Sequence, residues 1–282
     1  MENLIHKRFV HVPLSVLVSF CLFSSVFFYG CATVPITGRQ QFSIIPSSQL
    51  ISMSNDSFQE LIQDKTLADD EEKKAMVLRV GERVARATEE FLIETGRGDT
   101  LRNFDWEFKL LKDDDTVNAF AMPGGKVGVY TGILPVAQND SGLAAVMAHE
   151  VAHVIANHGG ERMSHFLMVQ LGGITLNAAL RKKSDEARYW WMVAYGLGST
   201  VGYVLPYSRL QEREADRIGL ILMAKAGYDP RAAVDFWQRM TEQAKNRMPE
   251  FLSTHPAPES RIEDIRARIP EALEHYDEAE ER

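Results

Sequence analysis

Apolar positions spaced three and four apart run from Asp69 through Met76, Val77, Val80, Val84 and Ala85 to about Leu92, and this spacing predicts an amphipathic helix. Gly96 to Asp99 interrupts the pattern as a loop. From Phe104 to Leu111 apolar and polar residues alternate enough for a strand. Val117–Met122 and Val127–Leu134 flank Pro123-Gly124-Gly125, which reads as a hairpin turn. Asn139-Asp140-Ser141 offers capping side chains for a helix reaching about Asn157. Another helix spans roughly Ser208–Ala226 and stops at Gly227. Asp229-Pro230 then supplies a cap and a first-turn proline, and Glu259–Arg268 forms the last helix. The fold class expected is α+β, mostly helical, with a small antiparallel sheet or hairpin.

Other stretches do not fit that periodicity. Leu14–Phe28 is uncharged, follows Lys7 and Arg8, and has signal-peptide rather than membrane-span length. It ends at Tyr29-Gly30-Cys31, which resembles a bacterial lipoprotein cleavage site. Residues 1–30 are therefore expected to be a signal peptide, with Cys31 the lipidated N-terminus. Ala32 after the cysteine favours an outer-membrane address facing the periplasm. An uncleaved anchor is the competing reading, and both put the body outside the cytoplasm. Residues 31–68 begin rich in Pro, Ser, Thr and Gln and read as a tether and N-terminal segment, and residues 271–282 as an acidic tail with six carboxylates against one arginine. Met163–Leu180 and Tyr189–Ser208 lack Lys, Arg, Asp and Glu, and read as packed or membrane-facing helices. Tyr189, Trp190 and Trp191 would touch a bilayer, line a groove or, as is commonest for such aromatics, pack in the core.

Composition narrows the function. The 282 residues are 45% hydrophobic and 25% charged, ordinary globular values. A formal net charge of −8 argues against a nucleic-acid partner, which calls for a basic face. The only cysteines are Cys21 and Cys31, so the body can build neither a disulfide scaffold nor a cysteine zinc site.

The chemistry is carried by His149-Glu150-Val151-Ala152-His153. Histidines at i and i+4 share one helix face, so both imidazoles can reach one metal ion. Zn²⁺ suits imidazole and carboxylate donors. Glu150 is turned off the metal axis yet stays close enough to hold a water and take its proton. A histidine six residues after His153 would complete one known ligand pattern, but that position is Gly159. His158 is one residue off and would point away. A carboxylate from elsewhere is needed, and the best source is Glu212-Arg213-Glu214-Ala215-Asp216. Glu212 could ligate while Asp216, one turn on, holds a ligand histidine. The same run could equally be a solvated charged face, a description that suits Arg213 and Glu214.

These motifs together resemble the M48 peptidases, membrane-associated zinc metallopeptidases. The similarity covers roughly Val117 to Ile265 and includes Asn118-Ala-Phe-Ala-Met-Pro-Gly-Gly-Lys, Val129-Tyr-Thr-Gly and Ser253-Thr-His-Pro-Ala-Pro-Glu-Ser-Arg261. The resemblance implies a zincin-like peptidase domain over residues 69–270 and one Zn²⁺ held by His149, His153 and Glu212. It also implies Glu150 as general base and Asp216 behind a ligand. Asn118 and Ala119 would bind substrate backbone by strand addition. His255 and Arg261 would stabilise the oxyanion or close the fourth zinc position. The membrane domain of the prenyl proteases and the tetratricopeptide array of one outer-membrane relative have no counterpart in the sequence. The function expected is a lipid-anchored zinc endopeptidase acting on unfolded or misassembled envelope proteins. A zinc-containing holdase or assembly factor with a latched site is the alternative.

Overall fold

The computed structural model describes residues 31–255 and 260–280; the expected signal peptide, residues 1–30, lies outside the described residues. The chain enters through an antiparallel pair, β1 (Cys31–Thr33) and β2 (Gln40–Phe42), followed by helix α1 (Ser47–Asp64). The segment 31–68 thus holds a strand pair and a helix, where a tether and N-terminal segment were expected. Its composition favours loops, but Val34, Leu50 and Phe58 find buried positions, and such packing overrides weak local preference.

Helix α2 (Glu71–Glu94) begins where the Asp70 carboxylate accepts the Lys73 N–H. Three strands follow: β3 (Glu107–Leu111), β4 (Ala119–Met122) and β5 (Lys126–Tyr130). β5 is central and wholly buried. β4 pairs with it antiparallel, Ala119 opposite Val129, around Gly124 and Gly125, both with positive φ. β3 pairs with β5 in parallel, Glu107 opposite Lys126, so the sheet is mixed and not antiparallel as expected. The hairpin is written in adjacent residues, whereas the β3 pairing depends on how the chain crosses back to the far edge of β5.

A single turn, α3 (Leu134–Ala137), leads into α4 (Asp140–Ile155), whose cap is the Asn139 carbonyl oxygen accepting the Gly142 N–H. Every residue of α4 from Gly142 to His153 is buried, so α4 runs through the middle of the molecule. Next come α5 (His158–Ala179), α6 (Asp185–Ser199), a π turn at Thr200–Val204, and α7 (Leu205–Lys225). Short segments α8 (Ala232–Ala244) and α9 (Glu250–Thr254) lead to α10 (Ser260–Glu280). α8 starts at Ala232 and not at Pro230, because the Asp229 carboxylate accepts the Arg231 N–H and holds a separate turn there.

α7 lies against α4. A Cβ on Gly219 would sit 3.0 Å from the His149 backbone, so any larger residue would push the two helices apart by a few tenths of an ångström. α10 covers α7 and continues through Pro270 to Glu280. Residues from Glu271 onward therefore extend this helix, where a separate tail was expected. Ala272 is buried and Glu271 pairs with Arg217 at 2.6 Å, which holds the helix together past the proline.

Candidate metal centre

α4 presents His149, Glu150 and His153 from consecutive turns, all buried. α7 presents Glu212 and Asp216 on its facing side, also buried. His255 follows α9, and Arg261 opens α10.

Four donors converge. His149 Nε2 and His153 Nε2 are 3.1 Å apart. The Glu212 carboxylate lies 3.4 Å from each of these nitrogens. His255 Nδ1 is 3.1 Å from Glu212 Oε1 and 3.4 Å from His149 Nε2. A tetrahedral Zn²⁺ with bonds of about 2.0–2.1 Å has donor-to-donor edges of about 3.3 Å. Three imidazoles and a carboxylate at this spacing therefore fit zinc in both chemistry and size. All four lie within 4.8 Å of one another.

Behind the donors stand two polar networks. On one side His149 Nδ1 is 3.1 Å from Asp216 Oδ1. Arg261 grips Asp216 with two donors, at 2.7 and 3.0 Å, and reaches Glu212 at 3.2 Å. Its guanidinium lies 3.5 Å above the Trp237 ring. Arg261 also donates to the His255 carbonyl at 3.4 Å, and its Nη2 lies 3.4 Å from His149 Nε2, so its charge borders the donor cluster. On the other side, His158 Nδ1 meets His153 Nδ1 at 2.8 Å, and His158 Nε2 meets Glu214 Oε2 at 3.2 Å. Glu214 also accepts from Thr37 Oγ1 at 2.6 Å and Arg39 Nε at 2.8 Å. Arg39 continues to Glu161 at 2.6 and 2.8 Å, and Gln211 donates to Glu161 at 2.7 Å.

This second network was not anticipated. Glu214 is buried, not part of a solvated face, while its neighbour Arg213 is exposed. His158 does stay out of the donor cluster, but Asn157 has φ +52, so the helical register breaks there and His158 swings back onto His153. The only cue in the sequence is a histidine one residue past an Asn that tolerates left-handed backbone.

Charges follow this layout. Burial lowers both imidazoles, but Asp216 and Glu212 raise His149 to about 9. His153 stays well below its usual value through burial and the neighbouring His149 charge. Burial alone would raise Asp216 and Glu212. Arg261 and His149 together outweigh it at Asp216, and the surrounding imidazoles, His149 and His255 foremost, outweigh it at Glu212, holding both below the usual carboxylate range. His149 and His153 would have to be neutral to hold a divalent ion, so metal binding there would release the His149 proton.

Glu150 lies one residue past the first donor, and its buried Oε1 makes no hydrogen bond among the described residues, with His255 Nε2 3.4 Å away. Asn118 precedes β4, one of the two outer strands of the sheet. Its side chain donates to Glu250 at 3.0 Å and accepts the Ala119 N–H at 2.9 Å, so backbone pairing there requires Asn118 to turn aside. Cys31 begins β1.

Residues 79–269 match the profile of peptidase family M48. The chain belongs to that family. M48 peptidases use zinc, in keeping with the donors described. The chain is 34% identical over 245 residues to the mitochondrial metalloendopeptidase OMA1 of Schizosaccharomyces pombe, covering 85% of this chain and 66% of that one. It is 31% identical over 269 residues to metalloendopeptidase OMA1 of Homo sapiens, covering 91% and 49%. It is 32% identical over 170 residues to the beta-barrel assembly-enhancing protease of Yersinia pestis, covering 58% and 35%. The chain thus spans between about a third and two thirds of the length of these M48 relatives.

Proposed function

We propose that this chain is a zinc metalloendopeptidase that hydrolyses peptide bonds in unfolded or misassembled proteins of a bacterial envelope, held at the membrane through a lipid on Cys31. The observation that carries the reading is a carboxylate, Glu150, with an unbonded buried oxygen beside a tetrahedral donor set. Zinc in that set supplies Lewis acidity toward a peptide carbonyl and toward water. His149, His153 and Glu212 hold it. Asp216, itself fixed by Arg261, orients His149, while His158 and Glu214 orient His153. Glu150 Oε1 takes the proton of the attacking water and returns it to the departing amine. The outer edge of β4 at Asn118 and Ala119 receives the substrate backbone as an added strand. A relative named for assisting beta-barrel assembly supports the envelope setting, and the OMA1 proteins support endopeptidase chemistry without fixing the compartment.

The test is degradation of casein or another unfolded protein with and without a chelator, beside Glu150→Gln. Cleavage that stops in both cases, with zinc content retained in the variant, supports the reading. Cleavage that survives Glu150→Gln in pure, zinc-loaded protein overturns it.

One observation favours a second reading. His255 Nδ1 completes the tetrahedron, as in closed sites that do no chemistry. The chain would then be a holdase or assembly factor, or an enzyme latched by His255. His255→Ala separates these: increased cleavage marks a latch, and none at all with zinc still bound marks a binder.

A further inference from the structure

Two helices that carry none of the four donors leave apolar faces in solvent. The base of α5 is fixed to the body by buried Glu161, Ser164 and His165. Beyond it, α5 exposes Leu167, Leu171 and Ile174, at i, i+4 and i+7, with Ile174 65% exposed. α6 and the turn after it expose Trp190, Ala194, Leu197 and Val201 at the same helical steps, with Trp190 61% and Leu197 62% exposed. The opposite faces pack on each other. The Tyr195 hydroxyl donates to the Val169 carbonyl at 2.8 Å, and its ring lies against Gly172 and Gly173. α5 and α6 are therefore an antiparallel pair, and the chain that leaves the body along α5 returns to it along α6.

The character of the pair points to a bilayer. Its tip carries exposed Arg181, Lys182 and Lys183, in no ion pair among the described residues, and exposed Asp185 and Glu186, with Asp185 paired to Arg188 at 2.9 Å; four cations against two carboxylates leave the tip at +2 within a chain of net charge −8. Next to those cations, Tyr189, Trp190 and Trp191 are exposed. Cations beside aromatic rings, on helices with apolar stripes, match the headgroup and upper acyl layers of an anionic membrane. From His165 to Ala179 the helix rises only about 20 Å, short of the about 30 Å hydrocarbon core. Crossing would also carry three cations through lipid, which is costly. Lying in one leaflet satisfies both constraints. The entry of the chain agrees: β2 abuts the base of α5, where Phe42 stacks on His165 and Ser164 Oγ accepts the Ile44 N–H at 3.0 Å. Cys31 pairs with Phe42 across β1 and β2, so the start of the described chain and the base of the α5–α6 pair lie beside one another.

We propose that the α5–α6 pair is a membrane-docking element that lies in one leaflet of an anionic phospholipid bilayer, its tip cations on phosphate and its apolar stripes toward the acyl chains. This does not depend on the zinc chemistry.

The experiment uses the full chain on vesicles of phosphatidylcholine and phosphatidylglycerol, with plain or brominated acyl chains. Tryptophan emission should be lost in the brominated vesicles. Trp190→Phe with Trp191→Phe should remove most of that loss, because the remaining Trp106 and Trp237 belong to the body. Leu171→Asp with Leu197→Asp should also remove it while zinc content stays at the wild-type level. Replacing Arg181, Lys182 and Lys183 with Ser should weaken it in the presence of phosphatidylglycerol. Equal emission from plain and brominated vesicles overturns the proposal. So does quenching that persists undiminished in the double aspartate variant, which assigns membrane contact to the N-terminus alone. Absence of quenching together with a sedimenting dimer would give the face to a second copy of the chain.

Discussion

His158 shows how far one side chain can reach. Its Nδ1 accepts from His153 while its Nε2 donates to Glu214, so the His153 proton stays on Nδ1 and leaves Nε2 free for metal. His158→Ala should weaken zinc binding by about 10- to 100-fold, read by competition with a chromogenic chelator, whereas catalytic loss in Glu150→Gln should come with unchanged affinity. The His-Glu-x-x-His run was legible because helix geometry places its members within one turn. The Glu212 role could be narrowed to a short run by its spacing from Asp216. The His158 contact was not legible, since it depends on a left-handed residue at Asn157 that breaks the register used to place it.

At the scale of elements, the approach of α4 and α7 is set by Gly219. Gly219→Ala should cost about 1–3 kcal/mol of stability and lower zinc content, because the added methyl pushes against the His149 backbone. Thermal unfolding and metal analysis would read both. The N-terminal hairpin docks through Arg39, which bridges Glu161 and Glu214. Arg39→Ala should cost about 3 kcal/mol by stranding the fully buried Glu161. The same contact has a pH signature. Burial pushes both carboxyls up, but Arg39 and Gln211 outweigh it at Glu161, and His158, Arg39 and Thr37 bring Glu214 to about 2. With folded values depressed, this docking is fully present above the ordinary carboxylate range and is lost as pH falls toward 2. Hydrogen exchange across residues 33–42 should therefore accelerate in acid before the α4 amides do. The hairpin was not visible in the sequence, because its partners lie more than a hundred residues away and its composition reads as loop.

Over the whole molecule, the donors tie together α4, α7 and the chain after α9, three pieces distant in sequence. Metal removal should therefore lower global stability. Zinc present at a thousand times its dissociation constant contributes about 4 kcal/mol, and a chelator should shift the thermal midpoint down accordingly. The helical character and the β4–β5 hairpin were legible from periodicity and turn residues. The parallel β3 pairing and the continuation of α10 past Pro270 were not, because each is decided by what the segment packs against.

Arg39 stands only eight positions beyond Cys31, and from its guanidinium an unbroken series of polar contacts runs through Glu214 and His158 to a nitrogen of His153. A displacement of the N-terminal hairpin would therefore pass to the His153 imidazole through polar contacts before it reached the hydrophobic interior. Four side chains couple the point where the described chain begins to the donor cluster.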